Sequence, residues 1–93
     1  MLYYSTNGKA PLADLRKAVV KGLAEDRGLY MPERLQRLPD SFFDQIDKLS
    51  FQETAFTVAK AFFGEDIPED RLRTIVYDTL SFDCPVVKVT DNI

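Results

Sequence analysis

Ser50-Phe51-Gln52-Glu53 spells a capping box. The serine hydroxyl takes the backbone N–H of Glu53, and the glutamate carboxylate reaches back to the serine N–H. A helix therefore starts at Phe51. Phe51, Ala55, Val58, Ala59 and Phe62 follow as one apolar stripe, and Gly64 suits a left-handed residue just past a helix end near Phe63. A second helix opens at Asp66-Ile67-Pro68-Glu69, where proline fits the first turn and the carboxylates complement the positive helix end. Its expected buried face is Leu72, Ile75, Val76, Thr79 and Leu80. Two adjacent amphipathic helices point to a helical core.

The flanking segments are shorter and more varied. Leu2 to Thr6 is aromatic and hydroxyl-rich and ends at the turn dipeptide Asn7-Gly8, so it reads as a strand. Leu12, Leu15, Val19 and Leu23 recur at helical steps over Pro11 to Leu23, with Pro11 in the first turn and Asp14 near the positive end. Gly22 and Gly28 bracket an acidic turn, after which the chain near Leu29 forms a brief extended piece that pairs with the first strand. Phe42, Phe43, Ile46 and Leu49 predict a short helix over Pro39 to Leu49, and Val86 to Thr90 has the β-branched content of a strand. That last strand has no partner in the sequence, which suggests that partners lie beyond residue 93. The expected fold is α+β with helices dominating, four helices and two or three short strands, in one domain spanning 1–93.

Composition excludes several functions. Twelve basic against 15 acidic residues give a net charge of −3, with no broad positive field for nucleic acid or an anionic membrane. No apolar run is long enough to span a bilayer, and the start has no basic segment followed by an apolar one. With a single cysteine, these features suggest a cytoplasmic location. The absence of histidine removes Ser-His-Asp and Cys-His triads and paired-His zinc motifs.

The remaining chemical candidates have simple structural readings. Ser5-Thr6-Asn7-Gly8 offers hydroxyls and N–H groups to a phosphate, but such residues also make ordinary turns. Glu65, Asp66, Glu69 and Asp70 lack calcium-loop spacing and fit helix capping. Cys84 has no adjacent activating group and reads as a small hydrophobe near a strand. A lysine can form a Schiff base when desolvated, yet Lys9, Lys17, Lys21, Lys48, Lys60 and Lys88 all sit at solvated positions. Phe42, Phe43, Phe51, Phe56, Phe62 and Phe63 follow helical spacing, as core or interface aromatics do. No catalytic, cofactor-binding or metal-ligating residue is expected.

Several blocks resemble the N-terminal domain of threonine synthase. They are Tyr3-Tyr4-Ser5-Thr6-Asn7-Gly8, Val20 through Pro32, Leu49-Ser50-Phe51, Phe62 through Pro68, and Asp83-Cys84-Pro85-Val86, with Gly22 to Pro32 the most specific. The family often has arginine where Asn7 stands and a second glycine where Arg27 stands. The resemblance implies a pyridoxal-phosphate enzyme that converts O-phospho-L-homoserine and water to L-threonine and phosphate, with the cofactor as electron sink. It places the cofactor's lysine in a phenylalanine-lysine-aspartate segment shortly past Ile93. This stretch would then pack against C-terminal catalytic domains of the same chain. A related phospholyase and a free-standing helical interaction module are the alternatives.

Overall fold

Tyr3 is where the chain first closes on itself. The computed structural model describes residues 1–93, and in it β1 (Tyr3–Ser5) pairs antiparallel with β2 (Tyr30–Pro32), Tyr3 facing Pro32 and Ser5 facing Tyr30. Tyr3 also exchanges both backbone hydrogen bonds with Ala13, at 2.8 and 2.9 Å. The alternation of the strand buries Tyr3 and Ser5 and leaves Tyr4 outside. Between the strands lie α1 (Leu15–Lys21) and the acidic turn; after them come α2 (Asp40–Asp44), a single 3₁₀ turn (Ile46–Lys48), α3 (Phe51–Phe63) and α4 (Glu69–Thr79). Four α-helices and one two-stranded sheet make the fold α+β, as expected.

The hydrophobic core is the α3–α4 contact. Phe56, Leu72 and Val76 are buried there, with Ala55, Ala59, Phe63, Ile67, Tyr77 and Leu80 packed around them. The Arg73 guanidinium lies 4.2 Å from the centre of the Phe56 ring and lids this core from outside. The capping box forms in full: Ser50 Oγ accepts from Glu53 N at 3.1 Å, and Glu53 Oε2 accepts from Ser50 N at 2.7 Å.

Little else is enclosed. Only nine of the 93 residues are buried, and the accessible surface is 7314 Å². A compact monomer of this mass would expose about 5,500 Å². The radius of gyration agrees, at 16.4 Å against about 12 Å for a compact chain of this length. The molecule is open.

Local hydrogen bonding moved several element boundaries. The first helix does not begin at Pro11. Ala13 is held as a strand-like bridge to Tyr3, and the Asp14 carboxylate caps the helix by accepting from Lys17 N at 2.7 Å. Its apolar residues Val19 and Leu23 are exposed. The Pro39–Leu49 helix breaks at Gln45, because Phe42 is its only buried anchor and so short a helix needs tertiary contacts to persist. Gly64 is right-handed, at φ −64°, because the chain makes one more helical turn in which Asp66 N and Ile67 N both donate to Phe63 O. On α4, Leu72 and Val76 are buried but Ile75 and Thr79 face outward. Val86 to Thr90 forms no strand: Val86, Val87 and Val89 are exposed, and the N–H groups of Val89 and Thr90 turn back to Ile93 O. Its β-branched residues have no neighbouring strand to complete a ladder.

Candidate functional site

The hydroxyl-rich loop after β1 and the acidic turn before β2 are brought together by the sheet, and one carboxylate ties them. Asp26 Oδ1 accepts from Ser5 Oγ at 2.5 Å and from Gly28 N at 3.0 Å; Oδ2 accepts from Lys9 N and Ala10 N, both at 2.9 Å. Asn7 Nδ2 donates to Asp26 O at 2.8 Å, and Leu29 N donates to Thr6 Oγ1 at 2.9 Å. The Ser5 hydroxyl and then these N–H groups favour the charged carboxylate and hold Asp26 down at about 2. The Ser5 hydroxyl, the Asn7 side-chain amide and the N–H groups of Thr6, Asn7 and Gly8 are thus engaged within the chain, and an incoming anion would meet a fixed negative charge. The turn reading of this loop is the one the geometry favours. The sequence alone does not single out Asp26. Its signal was an acidic residue between two glycines, opposite a loop rich in N–H donors.

Two backbone features explain the residues around it. A Cβ at Gly28 would fall 1.9 Å from Ser5 Oγ, so glycine is required here for close approach. Arg27 takes φ +67°, a left-handed conformation that glycine adopts without cost. This is the position where the resembling family often carries its second glycine.

No lysine is prepared for a Schiff base. Lys17 and Lys21 both reach Glu25, at 2.9 and 3.3 Å, Lys60 pairs with Glu69 at 3.0 Å and Lys88 with Asp91 at 3.0 Å; Lys9 and Lys48 are exposed. The Glu25 carboxylate raises the Lys17 pKa, whereas an amine nucleophile needs it lowered. In return, the Lys17 ammonium pulls Glu25 down to about 2. The lysines and the Asp26 loop do not fit pyridoxal phosphate.

The acidic cluster divides. Glu69 and Asp70 lie in the first turn of α4, as helix capping requires. Glu65 and Asp66 instead face the Met1 ammonium at 2.7 and 3.4 Å, and Glu65 also pairs with Arg34. These cations lower the Glu65 pKa, the ammonium most. No group of three His, Cys, Asp or Glu side chains is placed to hold a metal ion. Cys84 lies exposed in the segment after α4, with no strand beside it.

The expected apolar stripe of α3 exists but meets α4 only along one edge, where Ala55 and Ala59 pack against the Phe56–Leu72–Val76 core. Phe56, one step off the stripe, is the buried residue, while Phe51 and Val58 remain 44% and 38% exposed. Phe51, Ala55, Val58, Ala59, Phe62 and Phe63, with Thr54, line an open groove along the helix, beside the α3–α4 contact. Phe82 crosses its N-terminal end, its ring edge-on to Phe51 at 6.3 Å, and Gln52 Nε2 fixes that crossing by donating to Leu80 O at 3.0 Å.

These features define a class: a helical α+β domain with a built-in carboxylate anchor and an open apolar groove. Residues 2–80 match the family described as threonine synthase N terminus. The chain belongs to the threonine synthase family. It is 34% identical over 83 residues to threonine synthase from Methylobacillus glycogenes, covering 89% of this chain and 17% of that one. It is 36% identical over 77 residues to threonine synthase-like 2 from Mus musculus, covering 82% of this chain and 16% of that one. The crystal structure of threonine synthase from Escherichia coli superposes with a TM-score of 0.85 at 27% identity, over 98% of this chain and 21% of that one. The chain therefore spans about a fifth of the length of the relatives it matches. No helix is long and apolar enough to cross a membrane.

Proposed function

We propose that this chain is the non-catalytic N-terminal domain, residues 1–93, of a threonine synthase that makes L-threonine and phosphate from O-phospho-L-homoserine and water. The parent is a cytoplasmic lyase of amino-acid biosynthesis that carries pyridoxal phosphate on its catalytic domains. The observation that carries the structural role is the Asp26 carboxylate: it ties Ser5 Oγ and the N–H groups of Lys9, Ala10 and Gly28 into the chain, which supports a domain that contributes shape and not a cofactor contact. The similarity to threonine synthase-like 2 favours a second reading, a related phospholyase with a different phosphorylated amino acid.

Phosphate release from O-phospho-L-homoserine by the complete enzyme tests the assignment. Threonine should appear in step with phosphate. Arginine at Lys9, Lys17, Lys21, Lys48, Lys60 or Lys88 should leave turnover and the cofactor spectrum in place. Loss of the cofactor band on replacing any one of these lysines overturns the non-catalytic reading, and phosphate release only from another phosphorylated amino acid overturns the substrate.

A further inference from the structure

We propose that Glu65 is a salt-sensitive clamp that fixes the angle between two halves of this chain. One half is 1–32, with β1, α1 and β2; the other is 51–80, with α3 and α4. They are joined by 33–50, whose only regular pieces are the five-residue α2 and one 3₁₀ turn. Every residue of the α3–α4 core lies between Ala55 and Leu80, and the Asp26 anchor lies wholly in the first half. Each half therefore has its own source of order. On the α1 side they leave a cleft of about 390 Å³, with Leu15, Val19 and Val20 on one wall and Asp66 and Ile67 on the other. Apolar packing does not close that side.

Polar contacts hold the halves together. The antiparallel pairing of β1 with β2, extended by Glu33 N donating to Leu2 O at 2.8 Å, brings Met1 and Arg34 out at one end of the sheet. Both cations meet Glu65 just past α3: its Oε2 lies 2.7 Å from the Met1 ammonium, and its Oε1 accepts from Arg34 Nη2. Asp66 places a second carboxylate 3.4 Å from the ammonium, and the Tyr3 hydroxyl donates to Phe62 O at 3.4 Å. Two cations on one carboxylate form the kind of network in which surface charges contribute measurably. Glu65 and Arg34 are 51% and 62% exposed, so dissolved salt reaches the pair, and at 1 M the screening length falls to about 3 Å. Releasing Glu65 frees the sheet half to swing on 33–50 and widen the cleft.

Distances between spin labels test this in the 93-residue chain, with Cys84→Ser removing the native thiol and Lys9→Cys and Asp78→Cys, both at exposed positions, carrying one label on each half. At low salt Glu65→Gln should raise the share of long distances at least about twofold, the weight of two exposed ion pairs. Salt at 1 M should produce the same rise when Glu65 is present and add nothing to Glu65→Gln. Arg34→Gln should act in the same direction, and Arg34→Lys should restore part of the closed population. Glu33→Gln, the same change of charge on a neighbouring exposed carboxylate, should leave the distances alone. The helical circular dichroism signal should hold throughout, because Glu65 and Arg34 belong to neither the α3–α4 core nor the Asp26 anchor. Distances that ignore both Glu65→Gln and salt overturn the clamp. So does lengthening that Glu33→Gln produces equally, or lengthening that comes with loss of the helical signal.

Discussion

Replacing Gly28 with alanine should be among the most damaging single-methyl changes in this chain. Its φ is not in the left-handed region, so the penalty is steric. The added Cβ would lie 1.9 Å from Ser5 Oγ, 2.9 Å from Asn7 N and 3.1 Å from Asp26 Oδ1. Ser5 is 1% exposed, and its hydroxyl is fixed between Asp26 Oδ1 at 2.5 Å and Asn7 N at 3.2 Å, so it has no free rotamer to retreat into. Overpacking costs about 1–3 kcal/mol, and displacing the buried Ser5 hydroxyl from its partner adds about 1–3 kcal/mol. The expected loss is about 2–6 kcal/mol, or a fall of at least about 8 °C in melting temperature for a domain of this size. Denaturant melts followed by circular dichroism measure it. The diagnostic is a double-mutant cycle with Ser5→Ala, which removes the nearest atom: the pair should be less destabilised than the sum by at least about 1 kcal/mol. A neutral Gly28→Ala, or strict additivity, would refute the steric argument.

Other perturbations separate the remaining forces. Leu72→Ala empties the centre of the α3–α4 contact, where Leu72 is 2% exposed, and should cost about 2–5 kcal/mol in the same melts. Ser50→Ala removes the cap that accepts from Glu53 N and should cost about 1 kcal/mol, with fraying of the first turn of α3 visible in amide exchange. Arg27→Gly relieves a left-handed non-glycine residue and should stabilise by about 1 kcal/mol. Acid should act through Glu25 and Asp26, whose folded pKa values of about 2 lie below their ordinary 4.5 and 3.8. The unfolded chain then binds more protons between those values, so their stabilisation is complete above about pH 4.5 and is lost as the pH falls toward 2. Asp26→Asn should flatten the lower part of that slope, and an unchanged slope would show that the carboxylate is not the anchor.

The long elements were legible because their signals are local and redundant. The capping box at Ser50 and Glu53 marks the start of α3 to the residue, whereas Pro68, expected in the first turn, is the cap before α4, which starts at Glu69. Pairing of the first strand with the chain near Leu29 followed from the glycine-bracketed turn between them. Boundaries failed where a distant partner decides them. Ala13 is extended only because Tyr3 takes its hydrogen bonds, and the sequence from Pro11 onward is otherwise helical. Val86 to Thr90 looks like a strand by composition, and composition cannot supply a neighbour. The stripe on α3 was found, but periodicity reports an apolar face without saying what covers it. Two apolar faces share that helix, and the one through Phe56 meets α4. The anchoring role of Asp26 is hidden in the sequence for a related reason: its partners lie 16 to 21 residues away, apart from Gly28.

The role we propose for this domain is scaffolding without cofactor chemistry. Titrating pyridoxal phosphate into the 93-residue chain and recording the absorption spectrum after gel filtration tests this most directly. The cofactor should elute free, with no protein-bound Schiff-base band. A band that travels with the protein and disappears on replacing one of its lysines would contradict it.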